Sequence, residues 1–240
     1  MCRMIAFASR TPLDAAPYLD TLAWFCSSGN LVDRWEKRVG GNHPDGWGVA
    51  YRQDGEIRVV RSGKPAASDP LLSQVRVRTD RFLGHVRFAS NPETVHAGNS
   101  HPFLSAGVAL AHNGTFYGKI GEEGDGRKVS DTLVFLERLS GRWKDRSLRG
   151  LAGALGEMLS DPGLVGEYSA ANLLIATPER TFAFRRFRRD GEYYTLYLRA
   201  GEESSVVASQ PPDGSDGWRL LADGELIELV PGTPRSVLLS

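Results

Sequence analysis

The chain has 240 residues, 41% of them apolar and 24% charged, a composition ordinary for a globular protein whose core is large enough to do without covalent staples. Lys+Arg and Asp+Glu each total 29, so the formal net charge is zero, which argues against a nucleic-acid binder with its usual basic excess. Two cysteines, Cys2 and Cys26, make no disulfide framework, no apolar run reaches membrane-spanning length, and no signal-peptide core follows Met1; the expectation is a cytoplasmic protein that touches neither membrane nor nucleic acid.

Taken in order, the chain opens with a buried strand, Met1-Cys2-Arg3-Met4-Ile5-Ala6-Phe7. Thr11-Pro12-Leu13-Asp14 predicts a helix entry, with Tyr18, Leu19, Leu22, Trp24 and Phe25 at roughly helical spacing behind it and Cys26 at its end. The cluster from Asn42 to Gly46 predicts a turn. A strand follows at Trp47–Tyr51, and Asp54-Gly55 turns it into Ile57–Arg61. A helix is expected over 69–77, a strand over Phe82–Ser90, and a turn-rich excursion from Asn91 to Phe103. Val108–Ala111 is an apolar strand that stops at His112-Asn113-Gly114, and residues 118–128 read as a Gly-rich, charged, mobile surface loop. Two helices follow, from Ser130-Asp131 to Leu139 and from Leu148 to Leu159. The last third reads as strands over 171–176, 181–186, 193–198, 205–208, 225–230 and 236–239. Within it, Arg185-Arg186-Phe187-Arg188-Arg189 reads as a solvated strand end before the Asp190-Gly191 turn. Strands on both sides of a helical middle, with no repeat or linker, predict one α+β domain over residues 1–240, built of stacked antiparallel sheets with helices outside.

The chemistry gathers at three strand ends. Loss of Met1 would leave Cys2 carrying both a thiol and an α-amine. That amine titrates near 7.7–8, against about 10.4 for a lysine, so it suits the work of a base at neutral pH. Cys2 is equally a small residue that packs well. Asn113-Gly114 offers a side-chain amide and a following backbone N–H as a pair of oxyanion donors, or a tight hairpin turn. Arg87, between Val86 and Phe88, suits bidentate capture of a carboxylate, or an internal ion pair. Asp131 can hold a substrate ammonium or start a helix.

Cys2, the run Gly84-His85-Val86-Arg87-Phe88-Ala89-Ser90, then Asn99-Ser100-His101-Pro102-Phe103, Ala111-His112-Asn113-Gly114-Thr115 and Ser130-Asp131-Thr132 stand in the order found in class II glutamine amidotransferases. These are N-terminal-nucleophile hydrolases. Asp45-Gly46-Trp47-Gly48 resembles the stand-alone branch, which includes the γ-glutamyl hydrolase of ergothioneine biosynthesis. The resemblance implies a four-layer αββα sandwich and a γ-glutamyl amide as small-molecule substrate, with no cofactor and no metal. It implies Cys2 as nucleophile with its amine as base, and Asn113 and Gly114 as the oxyanion hole. Arg87, helped by Ser90, takes the substrate α-carboxylate, Asp131 takes the α-ammonium, and His85 and His101 shape the surroundings without reacting. One departure is Leu133, where relatives often carry a glutamate. Whether the substrate is glutamine, with ammonia passing to a partner protein, or a γ-glutamyl conjugate is left open, and no synthetase domain is apparent. Two further classes compete: a γ-glutamyl-binding sensor without catalysis, and a metal hydrolase built from His43, His85, His96, His101 and His112. The histidines lack a helical His-x-x-x-His pair, and each has a turn or strand-end explanation.

Overall fold

A computed structural model describes residues 2–32, 35–117, 120 and 130–239; the loop expected over 118–128 lies, apart from Ile120, outside the described residues. The first strand, β1 (Arg3–Asp14), is buried from Arg3 to Ser9 and splits its side chains between two cores. Met4, Ala6 and Ala8 face one, Ile5 and Phe7 the other, the alternation a central strand imposes. β1 also corrects the expected helix entry at Thr11–Asp14. The strand continues through a register shift to pair Leu13 with Thr79 and Asp14 with Arg78, and helix α1 (Ala16–Ser28) begins only beyond it. Pro17 sits in the first helical turn, where its missing N–H costs nothing.

β2 (Trp47–Gln53) and β3 (Glu56–Ser62) form the expected hairpin. Helix α2 (Pro70–Gln74) is shorter than predicted, since Val75 is already extended and the chain enters β4 (Arg78–Val86). Two short 3-10 turns, Pro92–Thr94 and Ala97–Asn99, occupy the turn-rich excursion. β5 (Phe103–Ser105) then pairs with β6 (Val108–Phe116). Helices α3 (Asp131–Arg142) and α4 (Leu148–Ser160) fill the middle. The remaining strands are β7 (Tyr168–Ala176), β8 (Thr181–Arg185), β9 (Tyr197–Ala200), β10 (Ser204–Ala208), β11 (Arg219–Leu220), β12 (Glu225–Glu228) and β13 (Arg235–Leu238).

The strand expected at 193–198 is therefore displaced to 197–200. Tyr193 and Tyr194 instead hang from the Asp190 carbonyl in a turn. The cause lies at Arg185, which is no solvated strand end. It is 6% exposed, and its guanidinium donates to the Tyr194, Leu221 and Gly191 carbonyls, each at 2.8 Å. Those bonds hold the segment off the sheet.

The strands make a seven-stranded sheet, β11-β9-β10-β1-β4-β2-β3, and a six-stranded one, β13-β12-β8-β7-β6-β5; every pairing is antiparallel. α1 and α2 cover the outer face of the first sheet through Leu19, Leu22, Phe25 and Leu72. α3 and α4 cover the second through Phe135, Leu136, Leu151 and Leu155. Between the sheets lies a core rich in alanine, with Ala6, Ala50, Ala109, Ala111 and Ala183 around Met4, Leu83 and Leu174. The result is the αββα sandwich expected.

Truncating Leu174, fully buried between the sheets, should lower unfolding free energy by about 2–5 kcal/mol. Leu104→Ala, at a site 44% exposed, should stay within about 0.5 kcal/mol of the parent. Urea denaturation of the two variants side by side checks the contrast.

Candidate active site

At one end the two sheets are joined by a hydrogen bond at Cys2. Cys2 enters β1 from the first sheet, and its backbone nitrogen donates to Asn113 Oδ1 of β6, in the second, at 2.8 Å. With Met1 attached that nitrogen is an amide; it occupies the position an α-amine would take once Met1 is removed. Cys2 is 7% exposed and Asn113 is fully buried. The Asn113 Nδ2 group has no hydrogen-bond partner, an expensive condition for a buried amide. β6 does not stop at Ala111. It runs to Phe116 with Asn113 opposite Asn172 and Gly114 opposite Ala171, so Asn113-Gly114 is a strand segment and not a hairpin turn. Gly114 holds φ +155°, and a Cβ there would lie 2.0 Å from the Ala170 carbonyl oxygen; only glycine fits.

Three histidines support this peptide from behind. His85 Nε2 lies 3.3 Å and His101 Nδ1 3.1 Å from the His112 carbonyl oxygen. The His112 ring donates from Nε2 to Ala170 O at 2.9 Å, which leaves Nδ1 to accept from the Thr132 hydroxyl at 3.0 Å. Burial favours the neutral rings: it holds His85 down to about 3, and His101 and His112 below the ordinary histidine value. His43, on the far side of the first sheet, is lowered for the same reason, with the nearby Arg3 charge adding to it.

Arg87 stands at the end of β4. Its guanidinium donates to the carbonyl and hydroxyl of Thr94, both at 2.8 Å, and among the described residues it makes no ion pair. Asp131, first residue of α3, accepts from the Phe116 N–H and the Thr132 N–H at 2.8 Å each. Its carboxylate thus ties the helix start to the strand that carries Asn113, and Ser130 makes no side-chain cap bond.

These groups surround a cavity of about 810 Å³. Of the residues singled out from sequence, Cys2, Arg87, Ser90, His101, Gly114 and Asp131 border it; Ser90 sits exposed on its rim. Asn113, bonded to the Cys2 nitrogen of the wall, and His85 are not among the residues that line it. Cys26 is elsewhere, buried under the first sheet with its thiol raised by burial. Sequence reasoning missed several wall residues. Trp35 and Phe88 stack, and Thr94 engages Arg87. Tyr194 donates to Ser169 Oγ at 3.1 Å, and its own hydroxyl is pushed up to about 12 by burial. None belongs to a periodic pattern, so no local signal marks them. Arg38 was missed too: it pairs with Asp45 and donates to Ala89 O at 2.7 Å, pinning the segment after Arg87. Among the described residues no group of three or more His, Cys, Asp or Glu side chains is arranged to hold a metal ion. No helix of the described residues is long and apolar enough to cross a membrane.

Residues 1–189 match the family model described as glutamine amidotransferases class-II. An uncharacterized protein of Methanocaldococcus jannaschii is 27% identical over 220 residues, 78% of this chain but only 61% of that protein. The gamma-glutamyl-hercynylcysteine sulfoxide hydrolase of Mycolicibacterium smegmatis is 27% identical over 236 residues, 95% of this chain and 96% of that one. Among solved structures, a glutamine aminotransferase class-II domain protein from Silicibacter pomeroyi superposes over the whole of both chains with a TM-score of 0.64 at 19% identity. The chain belongs to the class II glutamine amidotransferases, and through them to the amide-hydrolysing enzymes of that type.

The buried histidines make a pH prediction. Below about pH 6.5 the unfolded chain takes up protons that His43, His85, His101 and His112 refuse while folded. Stability should therefore fall as the pH drops from about 6.5, continuing for His85 toward its folded value near 3. Each such histidine contributes up to about 1.4 kcal/mol per pH unit. Urea midpoints at pH 7.5 and 5.5 should differ in that sense, and His85→Gln should flatten the slope.

Proposed function

We propose that the protein hydrolyses a γ-glutamyl amide through a thioester on Cys2. The observation that carries this reading is the division of labour at Asn113: Oδ1 accepts from the Cys2 nitrogen at 2.8 Å while the buried Nδ2 donor is left without a partner. An unsatisfied donor on the side chain that holds the Cys2 nitrogen suits a charge that exists only during reaction.

In this reading the freed α-amine of Cys2 takes the thiol proton, and Sγ attacks the γ-carbonyl. The carbonyl electrons move onto oxygen, where Asn113 Nδ2 and the Gly114 N–H receive them. The tetrahedral intermediate collapses, the C–N bond breaks, and the α-ammonium returns its proton to the departing amine. Water, deprotonated by the same amine, then attacks the thioester; the C–S bond breaks and glutamate leaves. Arg87 retains N–H groups beyond those given to Thr94 and takes the α-carboxylate, with Ser90 at the rim. Asp131 takes the α-ammonium. The mycolicibacterial relative, whose name describes cleavage of a γ-glutamyl conjugate, supports an amine leaving group as well as ammonia. With glutamine as substrate, the ammonia released passes to an acceptor, a partner protein among the options.

A diazo-ketone analogue of glutamine tests the assignment. Intact-mass analysis should show Met1 absent from active protein and one adduct, on Cys2 and not Cys26. Excess glutamate should slow labelling, and Arg87→Ala should nearly abolish it. Active protein that retains Met1, or equal labelling of both cysteines, would count against the mechanism.

Asn113→Ala should lower kcat by about 10²–10³-fold, the usual effect of losing one oxyanion donor, with little change in KM. Steady-state kinetics on a γ-glutamyl amide decides it; a change confined to KM would reduce Asn113 to a substrate contact.

A further inference from the structure

In the mechanism above, Gly114 gives its N–H to the oxyanion. It has no side chain, so only the backbone on either side can aim that donor. On one side the ladder does so: Asn113 pairs with Asn172 of β7, and Gly114 with Ala171. Ala171 spends its own N–H on Arg186 O at 2.8 Å, toward β8. Residues opposite each other in an antiparallel ladder turn their N–H groups both inward or both outward, so the Gly114 N–H is turned away from β7. β5 pairs with β6 only as far as Leu110, and Gly114 borders the cavity. The donor therefore belongs to neither ladder.

On the other side the ladder is broken. Pairing resumes at Phe116 opposite Tyr168, so one residue of β6, Thr115, faces two of β7, Ser169 and Ala170. Such a bulge re-aims the chain beside it and leaves ladder groups to find other partners. Here both partners are side chains. The Ala170 carbonyl accepts from the His112 ring at 2.9 Å, and the Thr115 N–H donates to Ser169 Oγ at 3.0 Å.

Ser169 is itself held firmly. It is buried, and its carbonyl accepts from the Arg188 N–H at 2.9 Å. Its Oγ also accepts from the hydroxyl of Tyr194, a fully buried side chain, at 3.1 Å. Without the Ser169 hydroxyl the Thr115 N–H loses its acceptor. The residue before Thr115 is a glycine, the one least able to resist rotation.

We infer that Ser169 is a positioning residue for the reaction: by fixing the Thr115 N–H across the β7 bulge, it holds the Gly114 N–H where the oxyanion forms. This rests on the thioester reading of the Cys2 site and adds to it a residue more than fifty positions beyond Gly114.

The test separates an effect on the tetrahedral state from an effect on substrate binding. Ser169→Ala in the full chain should lower kcat for a γ-glutamyl amide by about 10–100-fold, with KM nearly unchanged. The γ-aldehyde of glutamate supplies the second readout. Cys2 Sγ adds to its carbonyl carbon, the carbonyl electrons pass to oxygen, and the Cys2 amine keeps the thiol proton. Its dissociation constant, measured by calorimetry, should rise by a factor similar to the loss in kcat. That of glutamate, which forms no tetrahedral centre, should hold. Tyr194→Phe leaves Ser169 in place but removes a hydrogen bond to it, and should move kcat and aldehyde affinity in the same sense by about two- to tenfold; it decides the matter if Ser169→Ala does not fold. Parental kcat in these variants, or equal losses of aldehyde and glutamate affinity, would overturn the role of Ser169 while leaving γ-glutamyl hydrolysis intact. A parent that neither turns over a γ-glutamyl amide nor is labelled at Cys2 would defeat the thioester reading, and the positioning role with it.

Discussion

Everything at the site depends on the hydrogen bond from the Cys2 nitrogen to Asn113 Oδ1, because it joins residues of different sheets. A bond of 2.8 Å across a sandwich needs the strand ends to converge, yet packed sheets ordinarily stand about 10 Å apart. Alanines at 6, 50, 109, 111 and 183 keep the layer between the sheets thin. Larger residues carry the outer cores, where Phe7, Phe82, Phe135 and Trp143 pack between sheet and helix. The packing economy of the fold thus serves the site directly: bulk outside, small side chains where the sheets must approach.

The polar groups around that bond are arranged to hold one peptide still. The His112 carbonyl meets two imidazoles, its ring is fixed to Ala170 and Thr132, and the next residue but one is a glycine that no other side chain could replace. Low dielectric makes such a network stiff when satisfied and costly where it is not. Within it, Asn113 Nδ2 and His85 Nδ1 are left without partners. His85 Nδ1 belongs to a ring that burial keeps neutral, whereas Asn113 Nδ2 lies on the side chain that also receives the Cys2 nitrogen. In the proposed mechanism this is the electrostatic preorganisation that an oxyanion requires, and the histidine-backed β6 strand would supply it.

Much of this was legible in the chain itself. The alternation from Met4 to Ala8, the Asp54-Gly55 hairpin and the helices near 131 and 148 follow from local spacing and turn chemistry. The ordered set Cys2, Arg87, Asn113-Gly114 and Asp131 marked a class II amidotransferase, and the family match over residues 1–189 agrees. Local signals misled where long-range pairing competed with them. Thr11–Asp14 reads as a helix entry until Thr79 and Arg78 draw it into a ladder. Asn113-Gly114 reads as a turn until β7, more than fifty residues later, pairs with it.

What the sequence determined by itself was therefore the kind of layer each segment makes and the family to which the reactive residues belong, since both are written in short-range spacing. Tertiary structure alone decided which atoms meet. It brought Asn113 across to Cys2, buried Arg185 among three carbonyls, and piled Trp35 on Phe88. These contacts join residues from separate turns, strands and sheets, and no periodicity along a chain encodes a distance between segments that only the packed sandwich brings together.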